Sequence, residues 1–587
     1  MSIAKLLVPN KAYLKPFLAG LPSALSDDIA DEWNARLAKP ATVSSWLRSA
    51  PANSWLKFTT EAIRSIGVPR SLYLDEADID AKAKALSRHT SWLRRTGASL
   101  ADVQALAGLY HLHLPDWTKK PHTTDSVWAR ACDLAFWKRQ IRSVHSRLAE
   151  RGAIIAGRVH NRAGLYASDD QVKRTIQRKR RSAQVLASQL VINELGQEYS
   201  LADLAALSPA NPLIRRAELM VRLRGFETIA KQEGHACDFF TITCPGSYHP
   251  RLSKTGQLNP NYQPGIGPRE AQAHLQKVWS RARAKLHRKG IRMYGFRVAE
   301  PHHDGTPHWH MVLFFNEGDR RDIRKVLLSY ALQVNPSERG AWRRRCTFKK
   351  IDLLNGSACG YVAKYICKNV DGRKADSLAL GEFDHESNPN NPALLHETAI
   401  RVESWAKWGI RQFQQIGCAP VTVWRECRRL DATEQRPELA DIITATQASD
   451  WAGYVMLQGG PFASRKELAA ALYCEPVTNR YGEDASTIRG VDAYGVVAIS
   501  RVHVWTVTSA LYGSASTKAL ADQRQCAPQG RAADGAKRPW TRITNCTQPQ
   551  STGDRAMHRE ALMDEMDSLH NPEFNGLFIH PFPDSIQ

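Results

Sequence analysis

"IRMYGFRVAEPHHDGTPHWHMVLFF", residues 291–315, is two apolar runs joined by a short polar, turn-rich stretch. It reads as a β-hairpin closing around "PHHDGTP", in which Asp304 and Gly305 are an ordinary turn pair. Alternate side chains of a strand share a face, so His308 and His310 project one way and Trp309 the other. A symmetric register places Glu300 directly across from His308, on the same face. Two imidazoles and a carboxylate then converge with positions left for substrate or water, which outlines an open catalytic metal site and not a closed structural one. Imidazole donors favour Mn²⁺, Zn²⁺ or Fe²⁺ over Mg²⁺ unless a bound phosphate adds oxygens. A histidine-rich loop is also ordinary polar surface, and Glu300 has Arg297 as an alternative partner. His302, His303 and Asp304 are expected to serve the loop or to support the ligands.

Outward from the hairpin, "CDFFTITCPGSYHP" (237–250) reads as a strand entering a loop. Residues 268–290 read as a helix with Pro in its first turn and Gly just past its end. A helix over 320–332, a basic strand "RRRCTFKKIDL" (343–353) and a helix "SACGYVAKYICKNV" (357–370) complete the order. Strand, helix, hairpin, helix, strand, helix indicates an α+β domain with an antiparallel sheet flanked by helices, assigned to 226–375.

Residues 1–225 are expected to be mainly helical, as in 127–152, where Trp128, Leu134, Trp137, Ile141 and Leu148 recur at helical spacing. The basic run "VKRTIQRKRRSAQ" (172–184) is either a solvated helix face or a DNA-backbone contact. The span 376–430 is expected to be a helical extension packed on the sheet domain, with one helix over 396–417. The role of 431–587 is open, and it is expected to be partly flexible after 514.

Composition narrows the partners. Lys and Arg number 80 against 58 Asp and Glu, a formal charge of +22, which favours nucleic acid. No apolar run is long enough for a membrane span and the N-terminus carries no convincing signal peptide, so no membrane partner and a cytoplasmic location are expected. The eleven cysteines form no CxxC pair, against both a zinc ribbon and a disulfide framework. No GxxxxGK[ST] loop occurs, so no nucleotide cofactor is expected.

The stretch "GYVAKYICKNV" (360–370) sets Tyr361 and Tyr365 one helical turn apart, with Lys364 and Lys368 each three residues after a tyrosine. Two YxxK units would provide two nearly equivalent nucleophiles. Forming a phenolate at neutral pH costs roughly 4 kcal/mol, so a nearby lysine or a metal-bound phosphate must offset it. Two tyrosines at this spacing also arise from simple packing. The basic residues Arg343, Arg344, Arg345, Lys349 and Lys350, just before this helix, are candidates to track a DNA backbone. Trp309 and Tyr294 either stack on unpaired bases or fill the core, the core being favoured for Trp309.

Taken in order, "FFTITCP", "PHWHMVLFF" and "YVAKYICK" resemble the three motifs of HUH-superfamily rolling-circle replication initiators of the two-tyrosine class. "NPLIRRAELMVRLRGFE" (211–227), "GFRVAEPHHDGTPHWH" and "WGIRQFQQIG" further resemble the gene A replication endonucleases of P2-like phages and prophages, over roughly residues 100–420. The resemblance implies a site-specific single-strand DNA endonuclease that initiates and terminates rolling-circle replication. It implies Mg²⁺ or Mn²⁺ at His308 and His310, with Glu300 as third ligand, and Tyr361 or Tyr365 as nucleophile forming a 5′-phosphotyrosine link and a free 3′-OH. Thr241 and Thr243 would lie on a central strand beneath the site in a structural role. Single-stranded and supercoiled origin DNA, a host helicase and a host polymerase are the implied partners. A two-tyrosine transposase or relaxase, a non-catalytic DNA-binding initiator and a metallohydrolase of small phosphate esters are the competing readings.

Overall fold

The computed structural model of the chain describes residues 11–38, 45–68, 74–353, 357–370, 392–431 and 437–509. Its centre is a five-stranded antiparallel sheet. The elements that build it are α1 (Pro212–Gln232), β1 (Ala236–Thr243), α2 (Pro268–Arg288), β2 (Tyr294–Pro301), β3 (Pro307–Phe315), α3 (Arg320–Ala331), β4 (Cys346–Ile351), α4 (Ala358–Val370), α5 (Pro392–Ala406) and β5 (Phe413–Ile416). Strand order is β4-β1-β3-β2-β5, with every pair antiparallel. The fold is α+β, as the order of elements indicated.

The strands β1, β2 and β3 read as nearly unbroken apolar runs because both faces of the sheet are covered. On one face Phe239, Phe296, Val298, Val312 and Phe314 pack with Leu223 and Phe226 of α1 and Val362 and Ile366 of α4. On the other, Phe240, Ile242, Met311 and Leu313 pack with Leu275 and Val278 of α2, Ile323 and Leu327 of α3, and Trp405 of α5. The histidines share the first face and Trp309 lies in the second, fully buried, with its indole N–H donating to Gln272 at 2.9 Å. Tyr294 is likewise fully buried and stacked on Phe314, so neither ring is offered to a base.

Two local expectations fail. The helix expected over 396–417 ends at Ala406, Gly409 turns the chain at φ +83, and 413–416 instead pairs with the outer edge of β2 as the fifth strand. The span 343–353 is not one strand: Ala341–Arg344 is a helical turn and the strand begins at Cys346. At 413–416 a sheet edge captured backbone that local composition left undecided, and at 341–344 the chain turned helically before the edge strand began.

The helix α1 runs across the expected boundary at 225. Among the described residues N-terminal to it lie mainly helices, with two short strands, Gln189–Asn193 and Glu198–Ser200. The basic helix Asp169–Ala187 packs on α5, where Lys179 pairs with Glu403 at 2.6 Å, while Lys173 and Arg180 face solvent. C-terminal to the sheet, Ala470–Thr478, Asp484–Ala493 and Val496–Ile499 form a three-stranded meander. Trp505–Ser509 then returns to pair with Gln189–Asn193. The stretch 514–587, expected to be partly flexible, lies outside the described residues. Among the described residues no helix is long and apolar enough to cross a membrane.

Candidate active site

The register of the β2–β3 hairpin brings the cluster together. Glu300 pairs with His308, Val298 with His310, and on the other side of β3 Thr243 pairs with His308 and Thr241 with His310. Arg297 falls on the opposite face, over the Trp309 ring at 4.1 Å, and its guanidinium donates to the Arg411 carbonyl at 2.8 Å. It is therefore no partner for Glu300. Burial, helped by the charge of Arg411, pushes the Arg297 guanidinium down to about 9.

Glu300, His308 and His310 each offer a ligand atom, all within 4.8 Å of one another. The two imidazole Nε2 atoms are 2.9 Å apart, and Nε2 of His310 is 3.9 Å from the Glu300 carboxylate. Two donors held about 2.1 Å from a common ion lie roughly 3.0–3.4 Å apart, so this donor set suits a divalent cation. Nδ1 of His310 is hydrogen-bonded to Thr241 Oγ1 at 3.0 Å, which turns Nε2 toward the cluster. Thr241 thus orients a candidate ligand; Thr243 instead holds the backbone of β4's approach, its hydroxyl donating to the Arg344 carbonyl at 2.8 Å.

The second feature of the site is α4, which lies on the same face. Its N-terminus is held by Glu227 of α1, whose carboxylate accepts from the Cys359 backbone N–H at 3.0 Å and the Ser357 hydroxyl at 2.9 Å. Burial acts to raise the Glu227 pKa, but these bonds and Lys231 outweigh it and leave it lowered. Tyr365 stacks on the His310 ring, centroids 4.1 Å apart, and on Phe239 at 5.8 Å. One turn on, the buried Asn369 donates through Nδ2 to the Glu300 carboxylate and to the Tyr365 carbonyl, tying α4 and β2 together. For Tyr361, Lys364 and Lys368 the structure describes the helical backbone alone; their side chains lie outside the described residues.

Two contributors escaped the sequence reading. Asn369 was visible only as a polar residue four positions after Tyr365, where an apolar one would continue the packed stripe. His249, in the loop after β1, pairs with Asp304 at 3.0 Å and packs edge-on against His302, whose ring lies 4.1 Å from that of His308. The hairpin loop is built, not solvated. His303, Asp304 and Thr306 are buried, Gly305 adopts φ +83, and its carbonyl accepts the Trp405 indole N–H at 2.7 Å.

The basic residues divide. Arg343, Arg344, Lys349 and Lys350 are exposed on the turn and the edge strand β4. Arg345 is buried and pairs with Glu338, which sets it apart from the exposed basic residues; its place beside other arginines in sequence concealed this.

Fold and cluster together define an α+β protein with a candidate metal centre on an antiparallel sheet, covered by a tyrosine-bearing helix. The chain belongs to the bacteriophage replication gene A protein family, whose profile matches residues 74–373. It is 40% identical over 413 residues to the replication gene A protein of Escherichia phage 186, covering 67% of this chain and 58% of that one. It is 35% identical to the replication protein of Haemophilus phage HP1, over 74% of this chain and 56% of the relative. It is 31% identical to a protein of Salmonella paratyphi A named probable replication endonuclease from prophage-like region, over 76% and 56%. The chain therefore spans a little more than half the length of these relatives. No solved structure is significantly similar to it.

Proposed function

We propose that the protein is a site-specific single-strand DNA endonuclease of the two-tyrosine HUH class that initiates and terminates rolling-circle replication of phage DNA. The observation that carries this is the stacking of Tyr365 on His310 within the Glu300–His308–His310 cluster, which sets a phenol beside a metal-binding donor set. Relatives named probable replication endonuclease support the same class of activity.

In this reading His308, His310 and Glu300 hold Mg²⁺ or Mn²⁺, which when bound polarises a phosphoryl oxygen. Thr241 and Asn369 keep the ligands aimed. The phenol oxygen of Tyr361 or Tyr365 forms a bond to phosphorus as the bond to the 3′ oxygen breaks. The phenol loses its proton and the departing oxygen gains one, leaving a 5′-phosphotyrosine and a free 3′-OH. Lys364 and Lys368 stabilise the phenolate of their own tyrosine or the departing oxygen. One phosphodiester is exchanged for another, so no nucleotide is consumed. Two tyrosines allow one to hold the parental 5′ end while the other cleaves the regenerated origin. Arg343, Arg344, Lys349 and Lys350 follow the backbone of single-stranded or supercoiled origin DNA, and a host helicase and polymerase supply unwinding and synthesis in the bacterial cytoplasm.

The test is incubation of the full chain with DNA carrying its own coding region, in Mn²⁺ or Mg²⁺ and in EDTA. A 5′ protein–DNA adduct that needs the metal and maps to Tyr361 or Tyr365 is expected. Nicking without an adduct would make water the nucleophile; tight binding without cleavage would favour a non-catalytic initiator.

A further inference from the structure

The turn that leads into β4 is anchored on both sides, yet leaves a large aromatic ring in water. Arg345 pairs with Glu338, whose carboxylate also accepts the Gly246 backbone N–H at 3.1 Å, and Asn335 donates to the Ser247 hydroxyl at 3.1 Å. From the other side, the Thr243 N–H and hydroxyl donate to the carbonyls of Arg345 and Arg344 at 3.0 and 2.8 Å. Ala341 is buried within the turn. Between these anchors Trp342 is 69% exposed, where most of the described tryptophans are buried.

Single exposed apolar residues are common and need no explanation by themselves. Three observations make this one different. Its backbone is tied down on both sides by these hydrogen bonds and the Arg345–Glu338 pair, so the ring is presented and not merely left over. The next two residues, Arg343 and Arg344, are exposed cations. Thr243, which clamps the turn, is the register partner of His308, so the turn lies about two strand spacings, roughly 10 Å, from the metal ligands. An anchored aromatic followed by two guanidinium groups is suited to an unpaired base and the phosphates beside it, because every base has a π face and a duplex hides it.

We propose that Trp342 is a base-stacking platform that holds an unpaired base of the DNA strand close to the scissile phosphate, while Arg343 and Arg344 contact the flanking phosphates. This rests on the reading of the site as one that nicks DNA. Trp342 is a positioning residue: it touches the strand and leaves the reacting atoms to the histidine cluster and the tyrosines.

The experiment measures anisotropy of labelled strands with the full chain in EDTA, where no cleavage occurs. The probes are an oligothymidylate and an abasic deoxyribose-phosphate strand of equal length. Trp342→Ala is expected to weaken oligothymidylate binding about ten-fold, to leave the abasic strand unchanged, and to be largely restored by Trp342→Phe. Equal binding by wild type and Trp342→Ala, or equal weakening on both strands, overturns the proposal. A Trp342-dependent preference for bases in a chain that neither nicks DNA nor forms an adduct would sink the nicking reading and leave Trp342 as a base-stacking residue with no scissile phosphate beside it. Adduct formation with a Trp342→Ala chain that binds like wild type would do the reverse.

Discussion

The ring of Tyr365 lies on the ring of His310, centroids 4.1 Å apart and 24° from coplanar, so a candidate nucleophile and a candidate metal ligand brace one another. Tyr365→Phe keeps the stack and loses only the hydroxyl, whereas Tyr365→Ala loses both. Calorimetric Mn²⁺ binding should be unchanged in the first and roughly ten-fold weaker in the second, while adduct at position 365 disappears in both. Equal metal affinity in the two variants would uncouple the ring from the ligand.

Thr241 holds the candidate ligand His310 through its hydroxyl. Removing its hydroxyl in Thr241→Val frees the imidazole to rotate, at little cost to the sheet because valine suits a strand. Metal affinity is expected to fall about 10- to 100-fold with the melting temperature nearly constant. A wild-type affinity would show that neighbouring rings alone orient His310.

Asn369 joins α4 to β2 through Glu300. Asn369→Leu leaves a buried carboxylate without this donor, a loss of about 1–3 kcal/mol in folding stability on denaturant titration. Added Mn²⁺ should restore part of that loss, since an ion bound to the native state stabilises it. No recovery with Mn²⁺ would argue that Glu300 is structural.

The arginine run should separate by burial. Arg345→Ala removes a buried guanidinium and its pair with the partly exposed Glu338, and should destabilise the fold by about 1–3 kcal/mol. Arg343→Ala and Arg344→Ala should change stability by less than about 0.5 kcal/mol, yet each should lower the salt slope of DNA binding by about one. Denaturant melts and binding at several salt concentrations distinguish the two classes.

His249 and Asp304 give stability a pH dependence. Burial lowers the His249 pKa, but the Asp304 charge and hydrogen bond, with Glu338 adding and Arg345 opposing, raise it above its ordinary value. Burial raises that of Asp304, and His249, His303 and His302 outweigh this and hold the carboxyl well below the usual range. A raised histidine contributes stability that is complete below about pH 6.5 and is lost as the pH rises through its folded value. The depressed carboxyl contributes above about pH 4 and fails only on strong acidification. Melting temperature should therefore decline as the pH rises from about 6.5, and Asp304→Asn should remove that slope. Parallel curves for the two chains would count against the pair.

Alternation along two strands was enough to put His308, His310 and Glu300 on one face, because side-chain direction in a strand is fixed by local geometry and a short turn fixes the register. The helix bearing Tyr361 and Tyr365 was legible for the same reason, from spacing within one element. What the sequence could not decide were relations between elements distant in the chain. Whether the tyrosine helix lay over the histidine face depended on the packing of Phe226, Val362 and Ile366 against β2 and β3. Whether 413–416 became helix or strand depended on a free edge of β2. Whether Arg345 met DNA or Glu338, and whether His249 reached Asp304, depended on loops folding onto the sheet from both sides. Periodicity determines which way a side chain points; only the packed chain determines what it meets there.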